Sequence, residues 1–397
     1  MKRGIEVSIA ASEAAKLARV EAIAAYPITP QTHIVEHLSE LVANGELDAV
    51  YVTVESEHSA LSACIGASAA GARTFTSTSA QGLELMHEIL FIASGLRLPI
   101  VMAVANRALS SPLSIWNDHS DVMATRDAGW IQLFCENGQE VVDTIIMAFK
   151  IAEDRRVLLP VMVNLDGFQL SHVVEPIEFP SQEEVDAFLP EYKPLYTLHP
   201  DRPVTMGAYA TPELYTEAKY AQEQAIINSL PVIKEILSEY SRMFGRRYRI
   251  IEIYNAEKSD TVFVAMGSIN ENIMTAIDGM KKNKNSCGLV KVRLFRPFPH
   301  SELAEILKGK KNIIVVDRAM PGGGMNGPVF NEISSLCNRY NIKAKLFNYI
   351  VGLGGRDVLP EDFVSIYDEV KSSKVVRPLK GKKEATTQNY KVIGVRE

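Results

Sequence analysis

From residue 20 to residue 170, short apolar, β-branched runs alternate with longer stretches whose apolar residues recur every three or four positions. Residues 49–54, 73–78, 100–105, 131–134 and 157–163 read as strands, and residues 31–42, 58–69, 82–93 and 139–152 as helices. In the first of these helices Ile34, Val35, Leu38, Leu41 and Val42 share one face, and Asn44-Gly45 supplies a helix stop. This alternation predicts an α/β fold around a mostly parallel sheet covered on both faces. Residues 179–258 read differently. Pro176, Pro180, Pro190, Pro194, Pro200 and Pro203 favour extended chain, and a helix over 213–242 and a basic cluster at Arg246, Arg247 and Arg249 follow. The regular apolar content makes this an ordered connector. Strand–helix alternation resumes from 260, with strands over 261–266, 287–295, 313–316 and 344–350 and helices over 301–307 and 329–340. The chain therefore divides into a first α/β domain (1–178), the connector (179–258), a second α/β domain (259–370) and a basic C-terminal tail (371–397).

A length of 397 residues suits two or three domains, and 47% hydrophobic with 23% charged residues excludes a largely disordered chain. The net charge of −6 gives no electrostatic support to non-specific nucleic-acid binding. No window is apolar enough to span a membrane, and the N-terminus lacks a signal-peptide core, so a cytoplasmic protein is expected. Cys64, Cys135, Cys287 and Cys337 lie far apart, which argues against a disulfide scaffold or a cysteine-held metal or cluster in this chain and reads as buried thiols. No metal site is assigned.

Ligands of open α/β sheets bind beyond the carboxyl ends of the strands, and that directs attention to three loops. In Tyr26-Pro27-Ile28-Thr29-Pro30-Gln31, Pro30 suits a first helical position and Thr29 an N-cap, or else Thr29 offers a rigid hydroxyl to an anionic ligand. Glu57 begins a helix rich in small residues (60–71), where a carboxylate either complements the helix dipole or does chemistry. Arg107 follows the strand over 100–105, where a guanidinium can hold a carboxylate. Asp118, His119 and Asp121 read as a hydrogen-bonded loop rather than a metal cluster. The glycine run after Asp317 lacks both phosphate-loop spacings and reads as a strand-to-helix crossing.

Several of these runs coincide with a known pattern. AYPITPQT (25–32), VESEH (54–58), NRALS (106–110), NDHSD (117–121) and NLDGFQLSH (164–172), with FRPFP (295–299) and GLGGRD (352–357), closely resemble the α subunit of multi-subunit 2-oxoacid:ferredoxin oxidoreductases, most nearly the pyruvate type. The resemblance covers about residues 5–370. It implies a pyrimidine-side thiamine-diphosphate-binding domain followed by a transketolase C-terminal-like domain. It implies that Glu57 shares a proton with the cofactor's aminopyrimidine, that Pro27 and Ile28 lie near its ring, and that Thr29 and Arg107 hold the substrate's carboxylate and keto oxygen. The family's G-D-G run for diphosphate and Mg²⁺ is missing here. The cofactor is therefore expected to be shared with a β subunit that carries the diphosphate, Mg²⁺ and a [4Fe–4S] cluster. A ferredoxin-like δ subunit and a γ subunit would complete a four-subunit enzyme. The implied reaction converts pyruvate and coenzyme A to acetyl-CoA and CO₂ and reduces ferredoxin. The alternatives are the same chemistry on 2-oxoglutarate, a branched-chain or an aryl 2-oxoacid, or a non-catalytic scaffold subunit.

Overall fold

The computed structural model describes residues 2–282, 287–372 and 390–396. In chain order the first half contains β1 (Lys2–Glu6), α1 (Val7–Leu17), β2 (Ala22–Ala25), α2 (Thr32–Ala43), β3 (Val50–Thr53), α3 (Glu57–Ala70), β4 (Thr74–Thr78), α4 (Ala80–Leu85), α5 (His87–Gly95) and β5 (Ile100–Asn106). It continues with α6 (Ser120–Ala124), β6 (Ile131–Phe134), α7 (Gly138–Glu153), β7 (Val161–Asp166) and β8 (Val174–Glu178). β1 and β8 pair antiparallel as a separate two-stranded ribbon. The remaining strands form a sheet ordered β6-β7-β5-β4-β2-β3, parallel throughout. β5 is buried at every position and α7 nearly all round, as expected of elements with neighbours on both sides. Ala10, Ala11, Ala14 and Ala15 are fully buried in α1, where small side chains let it pack closely against α7.

The connector carries α8 (Gln182–Phe188) and the long α9 (Pro212–Phe244). α9 lays Val232, Ile233, Ile236, Leu237 and Tyr240 on the first domain. Buried Asp143 of α7 accepts hydrogen bonds from Tyr240 and Arg246, both at 2.6 Å, which pins this end of the connector.

The second half contains β9 (Ile251–Tyr254), β10 (Thr261–Ala265), α10 (Ile269–Lys282), β11 (Cys287–Val292), β12 (Leu294–Arg296), α11 (His300–Leu307), β13 (Asn312–Asp317), α12 (Pro328–Arg339), β14 (Lys345–Ile350), α13 (Pro360–Lys371) and β15 (Tyr390–Val392). Its sheet runs β15-β14-β13-β10-β11-β9, with β9 antiparallel at one edge. Residues 287–295, expected as one strand, are two. β11 belongs to the second sheet, whereas β12 crosses over and pairs antiparallel with β6 of the first. Arg293 sits at the break, 5% exposed, bonded to Glu140 of α7 and to Glu252 of β9 at 2.7 Å. A buried charge so paired fixes where the chain leaves one sheet for the other. Of the basic tail, residues 373–389 and 397 lie outside the described residues, while β15 adds a parallel edge strand to β14. Among the described residues no helix is long and apolar enough to cross a membrane.

Candidate active site

The loops leaving β2, β4 and β5 meet at the carboxyl ends of the first sheet. After β2 the chain turns at residues 26–31, and Gln31 anchors the turn. Its buried amide donates to the Ser77 carbonyl at 2.8 Å and to Ser77 Oγ at 2.7 Å, while its Oε1 accepts from the Ile28 N–H at 3.2 Å. α2 consequently starts at Thr32, and Thr29 does not cap it, contrary to the expectation from sequence. Thr29 is exposed instead, beside exposed Pro27 and half-buried Ile28.

Glu57 opens α3, behind an N-cap in which Ser56 Oγ accepts from the Ser59 N–H at 3.2 Å. Its side chain is 6% exposed and makes no hydrogen bond or ion pair among the described residues. It lies against α4, where only glycine leaves room. A Cβ on Gly82 would come within 2.6 Å of both Glu57 Oε1 and Thr78 Oγ1. Residues 82–93, expected as one helix, are α4 and α5, separated at Met86. Thr78 Oγ1, Ser79 Oγ, Gln81 Oε1 and Glu84 Oε1, all buried on this segment, lack hydrogen-bond partners among the described residues, and burial raises the Glu84 carboxyl above its ordinary value. Each such group costs about 1–3 kcal/mol. Their concentration beside an unpaired carboxylate suits a polar heterocycle with its own donors and acceptors, as an aminopyrimidine is. The residues fit the pyrimidine half of thiamine diphosphate. They do not form an oxygen-rich cage for Mg²⁺ and diphosphate.

Arg107 follows β5, 6% exposed. Its Nε donates to the Ser114 carbonyl at 2.7 Å and its Nη1 to the Thr29 carbonyl at 2.9 Å. The structure thus brings Arg107 and Thr29 together and leaves Nη2 without a protein partner among the described residues. Burial lowers the guanidinium's pKa, and nearby Asp121 opposes the shift.

Asp121, seen from sequence only as part of a polar loop, links the two patches. One carboxylate oxygen, Oδ2, accepts the backbone N–H of Arg107 at 3.0 Å and that of Ala80, the first residue of α4, at 3.1 Å. Oδ1 accepts from the Val122 N–H at 2.8 Å. Full burial raises its pKa to about 7. Its neighbours point elsewhere. Asp118 accepts from the N–H groups of Ser120 and Gly354, and His119 Nε2 meets Asp166 at 2.8 Å. Asp166 in turn receives Arg318 Nη1 and the Ser268 N–H, both at 2.9 Å, which ties the second domain to the end of β7. Burial works against ionising Asp166, but Arg318 and His119 outweigh it and hold the carboxyl below its usual range.

Asp317 also settles the reading of the glycine loop. Its carboxylate accepts from the N–H groups of Val329 and Phe330 at 2.8 and 3.2 Å, so a protein carboxylate fills the start of α12 where a phosphate would bind. A Cβ on Gly327 would meet Asp317 Cγ at 2.3 Å, which accounts for the glycine there. All four cysteines are buried, and burial raises every thiol pKa, that of Cys337 to about 11. In the small-residue helix α3, Ala60, Cys64 and Ser68 face inward, while Ser62, Gly66 and Ala70 form an exposed row.

Residues 13–237 match the family described as pyruvate flavodoxin/ferredoxin oxidoreductase, thiamine diP-binding, and residues 259–363 match pyruvate:ferredoxin oxidoreductase core domain II. The chain is 53% identical over 367 residues to the pyruvate synthase subunit PorA of Methanocaldococcus jannaschii, covering 92% of this chain and 93% of that one. It is 46% identical over 386 residues to the ketoisovalerate oxidoreductase subunit VorA of Pyrococcus horikoshii, covering 97% of each. The fold resembles that of the 2-oxoglutarate:ferredoxin oxidoreductase from Magnetococcus marinus, with a TM-score of 0.69 at 20% identity. That match covers 94% of this chain, which spans 65% of the length of the other.

Proposed function

The chain belongs to the pyruvate flavodoxin/ferredoxin oxidoreductase family, and from that premise we propose that it carries the pyrimidine-side half of a thiamine diphosphate site shared with a partner β subunit. Its activity is that of an oxidoreductase subunit in an enzyme that converts pyruvate and coenzyme A to acetyl-CoA and CO₂, passing two electrons singly to ferredoxin. The observation that carries the site assignment is Glu57, a buried, unpaired carboxylate facing a segment of unsatisfied oxygens.

Bound thiamine diphosphate supplies the nucleophilic carbon and the electron sink that decarboxylation of a 2-oxoacid requires. Glu57 holds a proton at the aminopyrimidine ring nitrogen and can take it back, and its burial shields that exchange from bulk water. Pro27 and Ile28 present an apolar edge to the ring. Arg107 spends two of its nitrogens on fixed carbonyls, and this rigidity directs Nη2 at a substrate carboxylate. The Thr29 hydroxyl beside it donates to the carboxylate or the keto oxygen. Mg²⁺, the diphosphate and a [4Fe–4S] cluster belong to the β subunit, further clusters to a ferredoxin-like δ subunit, and a γ subunit completes the assembly. The isolated, buried cysteines of this chain support that division.

The test is 2-oxoacid-dependent viologen reduction by the assembled subunits. Pyruvate should exceed 2-ketoisovalerate by about ten-fold or more in kcat/KM, the discrimination that a few methylenes afford. The opposite order would establish a branched-chain substrate, the second reading that the 46% identity to VorA favours. No 2-oxoacid-dependent reduction by a complete assembly would reject both.

A further inference from the structure

Glu6 at the end of β1, His33 in the first turn of α2 and His172 in the loop from β7 to β8 each offer a ligand atom within 4.8 Å of the other two. None of the three has a role in the cofactor or substrate site described above. The backbone under them is firmly held. The Val7 N–H donates to the Val173 carbonyl at 3.1 Å, and the Ser171 carbonyl accepts from the Ser8 N–H at 2.9 Å and from Ser8 Oγ at 2.8 Å. Ser12 Oγ of α1 donates to the Ile34 carbonyl at 2.9 Å, which fixes the turn that bears His33. The three side chains therefore project from one pre-organised patch.

Each imidazole is also oriented. Nδ1 of His172 lies 2.7 Å from Ser171 Oγ, which itself accepts from the Phe168 N–H at 2.9 Å. That bond leaves Nε2 of His172 as the nitrogen able to bind a ligand, the arrangement in which a metal-bound histidine hands its other nitrogen to an outer partner. The rings of Phe168 and His33 lie 4.6 and 4.7 Å from that of His172. Nδ1 of His33 is 2.6 Å from Glu6 Oε1.

We propose that Glu6, His33 and His172 form a binding site for a divalent transition-metal ion, zinc by preference, with a coordination position left to water. Two imidazoles and one carboxylate are a borderline donor set that suits zinc, whereas Mg²⁺ and Ca²⁺ demand oxygen ligands. Metal–ligand bonds of about 2.0–2.2 Å place donor atoms roughly 3.3 Å apart in a tetrahedral site. Glu6 and His33, 2.6 Å apart, need to part slightly for both to ligate, and the His172 ligand atom lies within 4.8 Å of each.

The full chain, prepared without a histidine tag and stripped with a chelator, is titrated with Zn²⁺ by calorimetry and with Co²⁺ by visible absorption. One equivalent should bind with a dissociation constant of about 1 μM or tighter, a binding free energy near −8 kcal/mol, and Co²⁺ should develop the d–d bands of a four-coordinate ion. Ser171→Ala should weaken binding by roughly ten-fold, and His172→Ala or His33→Ala by more. His33 has a 43% exposed side chain, so His33→Ala is the variant expected to fold. Its metal-free unfolding temperature should match that of the wild type, while the zinc-induced rise disappears. Absence of stoichiometric binding by the wild type, or a zinc-induced rise that persists in His33→Ala, would overturn the site.

Discussion

Gly82→Ala is the smallest substitution that presses directly on the Glu57 carboxylate. The added methyl carbon would lie 2.6 Å from Glu57 Oε1, 2.9 Å from its Cδ and 2.6 Å from Thr78 Oγ1, where ordinary contact begins at 3.4 Å. About 0.8 Å must be cleared on two sides at once, so either Glu57 swings away or α4 shifts. Overpacking of this kind costs about 1–3 kcal/mol, and replacing glycine within a helix returns up to about 1 kcal/mol. The net loss of stability should be no more than about 3 kcal/mol, a few degrees of unfolding temperature in a chain of this size. Turnover should suffer far more, because displacing a catalytic group by roughly 1 Å can cost about 10²-fold. The assay pairs pyruvate-dependent viologen reduction by the assembled variant with its thermal unfolding. Gly279→Ala, exposed within α10 and with nothing within 4 Å, is the control: it should match wild type in turnover and unfold at the same or a slightly higher temperature. Wild-type turnover in a folded, assembled Gly82→Ala enzyme would refute the placement of a working Glu57 against α4.

Arg107→Ala should lower kcat/KM for pyruvate by about 2–5 kcal/mol, the cost of leaving a desolvated carboxylate unpaired. Thr29→Val should cost roughly 1–3 kcal/mol, and wild-type steady-state constants in both variants would move the substrate site elsewhere. Asp121, raised from 3.8 to about 7 in the folded state, binds its proton more tightly there than in the unfolded chain. Its contribution to stability is therefore complete below about pH 4 and is lost as pH rises through about 7. The unfolding temperature of the wild type minus that of Asp121→Asn should accordingly fall between about pH 4 and pH 7 and level off above, and a pH-independent gap would contradict the shift. The chain purified alone should bind thiamine diphosphate very weakly, since its sequence has no G-D-G run to supply oxygen ligands for Mg²⁺ and diphosphate. Micromolar Mg²⁺-dependent binding in a calorimeter would reveal a complete site.

Periodicity located most strands of the two sheets because burial on two faces writes continuous apolar runs into the sequence, although the run over 157–163 starts ahead of β7, and β2 and the edge strands β9 and β15 were not among the strands read. Residues 131–134 match β6, and residues 139–152 lie within α7. What escaped depends on partners distant in sequence. β1 pairs with β8 more than 160 residues away, and the strand break at Arg293 answers to Glu140 and Glu252 on two different elements. A proline after Thr29 suggested an N-cap, yet the turn is fixed by Gln31 reaching across to Ser77, which nothing local announces. The candidate residues themselves were legible as motifs at strand ends. Their coupling through Asp121 was not, since two backbone N–H groups from separate segments converge on one carboxylate oxygen only after folding. Gly82 stood at the first position of the stretch read as a helix over 82–93, so nothing local marked it as the point where Glu57 approaches α4.

The central claim is that this chain's Glu57 performs the proton exchange with the cofactor ring. Glu57→Gln preserves the size of the side chain, its place at the start of α3 and most of its hydrogen-bonding capacity, and removes only the transferable proton. Pyruvate-dependent viologen reduction by the complete assembly measures the consequence, with subunit stoichiometry and bound cofactor determined on the same sample. A fall in turnover of about 10²-fold or more, the scale of a lost acid–base group, with subunits and cofactor retained, is the predicted result. Near-normal turnover in the same intact assembly would contradict the account.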